Sequence, residues 1–136
     1  VATFIGQPNM NLLPATVIGT GAEGLTVEFH GGTRMTLPVE TASAKTGDTV
    51  EVGVRPENLH LGTGVTMRLR VLERLGGTAI TYGQMADGLK ICAALSGDTT
   101  VHEGEDVGLT FTPADAHVFD AQGRVMRRRQ APALAA

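Results

Sequence analysis

The sequence predicts an all-β fold of two related strand-rich modules in tandem, and three observations predict it. Eighteen glycines and closely spaced turn signals cut the 136 residues into short runs. Within those runs apolar and polar positions alternate, whereas no stretch between Leu12 and Phe119 keeps the 3.6-residue apolar period of a helix. A strand-and-turn pattern also recurs 57 residues on, at Pro56 and again at Pro113.

Taken in order, the chain opens with Phe4-Ile5-Gly6-Gln7-Pro8-Asn9-Met10-Asn11, where a proline and two asparagines oppose regular structure. Residues 1–13 are therefore expected to be a connecting segment. Glu23-Gly24 turns the chain into Val27-Glu28-Phe29-His30, and Gly31-Gly32 leads on to Met35-Thr36-Leu37. This is a hairpin signal, because paired glycines accept the positive φ of a tight turn. Val50, Val52 and Val54 alternate with Thr49, Glu51 and Gly53, and Val65, Met67, Leu69 and Val71 alternate with Thr66, Arg68 and Arg70. Each is the period-two pattern of a strand with one buried face. Ala79 to Met85 and Leu89 to Leu95 flank Asp87-Gly88, a second hairpin signal.

The repeat pairs Gly47-Asp48-Thr49-Val50-Glu51-Val52-Gly53-Val54-Arg55-Pro56 with Gly104-Glu105-Asp106-Val107-Gly108-Leu109-Thr110-Phe111-Thr112-Pro113. In each copy an alternating strand is halted by proline, which has no amide hydrogen for a sheet, and the chain turns back through an apolar residue. Val50, Val52, Val54, Val107, Leu109 and Phe111 are expected to point inward, and His60 and His117, equivalent in the repeat, to share a structural job such as donating to a turn carbonyl. The domain is placed at 14–126, readable as two interlocked β-modules of about 14–64 and 65–126, with 127–136, which contains Arg127-Arg128-Arg129 and Ala131-Pro132-Ala133, as a flexible tail.

Composition narrows the function. A net charge of −3 and one Tyr, four Phe and no Trp argue against a nucleic-acid platform, and no apolar run approaches the length of a membrane helix. The single cysteine, Cys92, lies in an apolar run and excludes an intrachain disulfide, which favours a reducing compartment. The chain opens at Val1 without an initiator methionine and reads as a fragment.

Catalytic signatures are missing from the sequence. Neither lysine follows a glycine, so there is no phosphate loop; Ala44-Lys45-Thr46 and Leu95-Ser96-Gly97-Asp98 imitate parts of nucleotide-binding motifs and read as loops. His30, His60, His102 and His117 never stand at zinc-ligand spacing, and no nucleophile elbow is present. No catalytic residue, metal ligand or cofactor is assigned. Gly76-Gly77-Thr78 is either an anion cradle of backbone amides or a plain turn.

Three segments resemble the C-terminal regulatory domain of the ATP-binding subunits of bacterial ABC importers, of the type serving maltose, glycerol 3-phosphate and related sugars. Residues 4–11 resemble that family's FIGSPxMN segment, and Val52-Gly53-Val54-Arg55-Pro56-Glu57 resembles its GIRPE turn. Phe111-Thr112-Pro113, His117-Val118-Phe119-Asp120 and Gly123-Arg124 resemble its closing F-P…HLFD…GxR stretch, while Asn58 stands where the family commonly carries His or Asp.

The resemblance implies tandem OB-like β-barrel modules, also called a TOBE domain, attached to an ATPase domain that would hold the ATP and magnesium. It implies a regulatory and dimer-stabilising role, with a second copy of the subunit, membrane permease subunits and a cytosolic regulator as partners and no nucleic acid. The location would be the cytoplasmic side of the inner membrane, peripherally bound. Arg55, Glu57 and Asn58 are the candidate interaction surface. A barrel that senses a small oxyanion such as molybdate remains the alternative.

Overall fold

The computed structural model of the chain describes residues 10–41 and 44–128. In chain order these residues form β1 (Asn11–Gly21), β2 (Gly24–Phe29), β3 (Arg34–Leu37), β4 (Thr49–Val54), the 3-10 turn η1 (Pro56–Asn58), β5 (His60–Leu75), β6 (Thr78–Gln84), β7 (Lys90–Ser96), β8 (Asp106–Thr110), the 3-10 turn η2 (Pro113–Asp115) and β9 (His117–Phe119). The expected all-β architecture is present as two antiparallel sheets, ordered β3-β2-β1-β4-β9 and β7-β6-β5-β8.

Local chemistry accounts for the hairpins. Gly31 and Gly32 both take positive φ between β2 and β3, and Gly88 does so between β6 and β7, where the Asp87 carboxylate also accepts the Leu89 N–H at 3.0 Å. Gly24 opens β2 at φ 135°, with the Leu37 carbonyl so close that a Cβ would lie 2.0 Å from it. No other residue fits there without displacing backbone.

The repeat is realised as a reciprocal exchange between the two sheets. With β1–β4 matched to β5–β8, both sheets have the same strand order. In η1, Asn58 N–H donates to Arg55 O at 2.9 Å and Leu59 N–H to Pro56 O at 3.3 Å. In η2 the same bonds join Asp115 to Thr112 at 2.9 Å and Ala116 to Pro113 at 3.2 Å. Each turn passes the chain to the other sheet: β4 feeds through η1 into β5 beside β8, and β8 feeds through η2 into β9 beside β4. His117 stands opposite Gly53, and His60 stands opposite Thr110, its counterpart in the repeat.

All six residues expected to point inward are buried. Both sheets contribute to one core cluster, which holds Leu13, Val17, Leu25, Val52 and Val118 from the first and Met67, Leu69, Ile91 and Leu109 from the second. Burying each of these side chains contributes roughly 1.5–3 kcal/mol. Phe29 and Phe111 join the sheets edge to face, with centroids 6.1 Å apart and planes at 83°. β6 and β7 are also buried on their other face, where Ile80, Tyr82 and Cys92 form a small second cluster.

Several boundaries differ from expectation. β1 starts at Asn11, inside the expected connector, and pairs with β4 from Asn11↔Val54 to Thr16↔Thr49. The reading rested on Pro8 and the two asparagines, of which Asn11 is already in the strand. Pro14 is tolerated because pairing with β2 starts only at Ala15, which leaves one flank of the strand open at that point. β5 (His60–Leu75) runs straight through position 64/65, so any division there falls inside a strand. Arg127 and Arg128 are not tail: Arg127 O accepts the Glu40 N–H at 2.8 Å, and Arg128 forms a bridge with Val39. The rest of the expected tail and the segment before Met10 lie outside the described residues. Finally, an irregularity between Leu69 and Val71 shifts the pleat of β5, leaving Val71 40% exposed and turning Leu72 toward the core.

Candidate interaction surface

The three residues singled out for contact lie on the shoulder where β4 becomes η1. Proline sets the conformation: Pro56 opens η1 and is itself buried, which places Arg55 at the N-cap in extended backbone (φ −69°, ψ 147°) with its side chain exposed. Glu57 is exposed and Asn58 half-buried. Arg55 continues the outward-facing series of β4, after Glu51 and Gly53, because Val50, Val52 and Val54 take the inward positions.

The structure adds two residues that the sequence reading left apart. His117 of β9 lies opposite Gly53 and hence diagonally beside Arg55. The Arg128 guanidinium sits 3.4 Å from Nδ1 and 3.5 Å from Nε2 of that ring, nearly equidistant from both, which places it over the imidazole rather than in line with either nitrogen. The same guanidinium donates to Ala116 O at 2.9 Å and to Ala114 O. His117 thus sits against Arg128 instead of donating to a turn carbonyl. Burial, then Arg128, then Arg55 push its pKa below the ordinary histidine value, since each disfavours the imidazolium.

A third missed residue is internal. Asn11 is buried, and its side chain joins the two sheets: Nδ2 donates to Val54 O at 3.0 Å and Cys92 O at 2.8 Å, while Oδ1 accepts the Cys92 N–H at 2.8 Å. These bonds tie backbone groups of β4 and β7, strands of different sheets, to one side chain. Cys92 is buried as expected, and burial pushes its thiol pKa up to about 11.

The motif fragments are structural. Lys45 lies in the turn before β4, its N–H donating to Asp48 Oδ2 at 2.9 Å, and Ser96 Oγ donates to Asp98 Oδ1 at 2.6 Å where β7 ends. Gly76 and Gly77 form the two-residue turn between Leu75 and Thr78. The Gly97 backbone packs into that corner, its N–H donating to Gly77 O at 2.9 Å, and it is Gly97 that permits the close approach, since a Cβ there would lie 2.2 Å from Gly76 O. Among the described residues no group of three or more His, Cys, Asp or Glu side chains is placed to hold a metal ion.

Comparison with known proteins agrees with this architecture. A family model described as the MalK OB fold domain matches residues 6–59, and one described as the TOBE domain matches residues 52–119, half of the chain. The chain belongs to the TOBE-domain family. The two matches overlap on β4 and η1, the first connector of the exchange. This TOBE chain is 34% identical to the alpha-glucoside transport ATP-binding protein AglK of Rhizobium meliloti, over 93% of its own length and 36% of the relative's. It is 33% identical to the sn-glycerol-3-phosphate import ATP-binding protein UgpC of Cereibacter sphaeroides (90% and 33%), and 32% identical to the maltose/maltodextrin import ATP-binding protein MalK of Salmonella typhi (94% and 36%). The chain therefore spans about a third of the length of these relatives. Its fold is similar to that of the cytoplasmic molybdate-binding protein ModG in its molybdate-bound form, with a TM-score of 0.65 at 16% identity, covering 85% of this chain and 98% of ModG. At that identity the likeness concerns the fold alone.

Proposed function

We propose that this TOBE domain is the accessory part of the ATP-binding subunit of an importer for sugars or glycerol phosphate, where it pairs with a second copy of the subunit and carries regulation. The observation that carries this reading is that relatives aligning over at least 90% of the chain are ATP-binding subunits named for the transport or import of such solutes. ATP and magnesium would bind in the ATPase portion, on the cytoplasmic side of the inner membrane and against the permease subunits. A rigid domain with a shared core suits such a task. If it stays paired while the ATPase domains open and close, it keeps their effective concentration high, so they need not find each other anew in each cycle.

Interfaces between domains commonly bury about 600–1,500 Å², which is enough for weak pairing. Reconstituted transporter containing the subunit with and without residues 1–136 tests the reading. Deletion is expected to leave nucleotide affinity nearly unchanged while impairing subunit pairing, uptake or response to regulators. Unchanged pairing, uptake and regulation would refute it.

A further inference from the structure

We propose that the outer face of the first sheet, at Arg55, His117 and Arg128, is a docking surface for an acidic, partly apolar protein segment. Among the described residues neither guanidinium has a carboxylate partner. Ion pairs among the described residues engage Arg34, Arg68 and Arg124, whereas Arg128 donates to neutral carbonyls and Arg55 enters no ion pair. Two cations without an ion-pair partner among the described residues therefore flank one imidazole, and after burial they are the causes that lower its pKa.

The frame does not require these cations. Thr112 stands at the position equivalent to Arg55, and η1 makes the same two backbone hydrogen bonds as η2 with no arginine on its carbonyls among the described residues. The duplicated fold thus carries the cluster on one side only, as expected of an addition that serves recognition.

The neighbouring surface selects the class of partner. Leu12, opposite Gly53 on β1, is 42% exposed, and Val125, opposite Phe119, is 61% exposed, so apolar area borders the cations on the same face. Glu51 and Glu57 are exposed beside them. Their charge bears equally on every anion, so the apolar rim decides, and a phosphate polymer or a free phosphate would leave that rim unused. A peptide segment with alternating carboxylate and aliphatic side chains matches both parts, and guanidinium–carboxylate pairing supplies the orientation. This proposal does not depend on subunit pairing.

The intact subunit is titrated with a fluorescein-labelled alternating Leu-Glu peptide, with its Leu-Gln analogue, with inorganic phosphate and with phosphatidylserine vesicles. Saturable, salt-sensitive binding of the Leu-Glu peptide is expected. Arg55→Gln should weaken it about three- to tenfold, Arg55→Lys should largely restore it, and Arg70→Gln on the other sheet should leave it unchanged. Arg128→Gln should weaken it too, but Arg55 decides the matter because among the described residues its side chain makes no hydrogen bond or ion pair. The proposal fails if the Leu-Glu peptide does not bind, if the Leu-Gln analogue binds equally well, or if Arg70→Gln weakens binding as much as Arg55→Gln. Phosphate or vesicles that displace the peptide through Arg55 would instead assign the face to a small anion or a membrane. Self-association lost in Arg55→Gln without peptide binding would assign it to a second copy of this chain.

Discussion

Asn11 ties the two sheets together through a single side chain. Replacing it with Ala removes a donor shared by the Val54 and Cys92 carbonyls and leaves the Cys92 N–H unpaired in a dry site. The expected loss is about 1–3 kcal/mol in a urea melt; a loss well below that would mean that water takes over the bonds. Cys92 itself should resist thiol reagents at neutral pH, because its pKa of about 11 keeps it protonated and burial shields it. Alkylation is expected to track global unfolding, and rapid reaction of the native protein would contradict the placement. The inert, buried cysteine was legible from its apolar neighbours. Asn11 was not, since an asparagine close to Pro8 and Asn9 carries the composition of a loop, and its partner is 81 residues away.

At the scale of the elements, glycine separates two roles that look alike in sequence. β5 opposes Leu109 at both Leu61 and Val65, and the intervening stretch packs so closely that a Cβ on Gly64 would fall 2.2 Å from the Leu109 carbonyl oxygen. Gly77, at an open turn, has nothing within 4 Å. Gly64→Ala is expected to cost about 1–3 kcal/mol and Gly77→Ala to stay within about 0.5 kcal/mol, both read from denaturant midpoints. Equal effects would show that backbone contact at the crossing is not what holds Gly64. The hairpins at Gly31-Gly32 and Asp87-Gly88 and the inward valines were readable because turn chemistry and period-two alternation are local. The inward turn of Leu72 in place of Val71 was not, because a bulge is set by the strand across from it.

For the whole molecule, the exchange of strands predicts one cooperative transition. Sheet one lacks β9 without the second half of the chain, and sheet two lacks the opening of β5 without the first, while both sheets feed one core. Far-UV circular dichroism and tyrosine fluorescence are expected to give coincident urea transitions, and residues 1–64 alone to remain unfolded. Separate transitions, or a folded half, would argue for independent modules. The repeat in the sequence announced two related units. Interlocking of the two was an expectation too, but which strands they exchange was not, because sequence self-similarity records descent of a pattern and not the sheet in which each copy lies.

The exchange also makes the topology nearly indifferent to where the chain is cut. Each half enters through a long strand, winds through two more, returns on a fourth and crosses by a proline turn to its opposite number. A circular permutant opened between Gly62 and Gly64, with the far end rejoined ahead of Met10, would visit equivalent strands in the same order. Asn11 and the arginines around His117 would then be the principal marks of which half had come first.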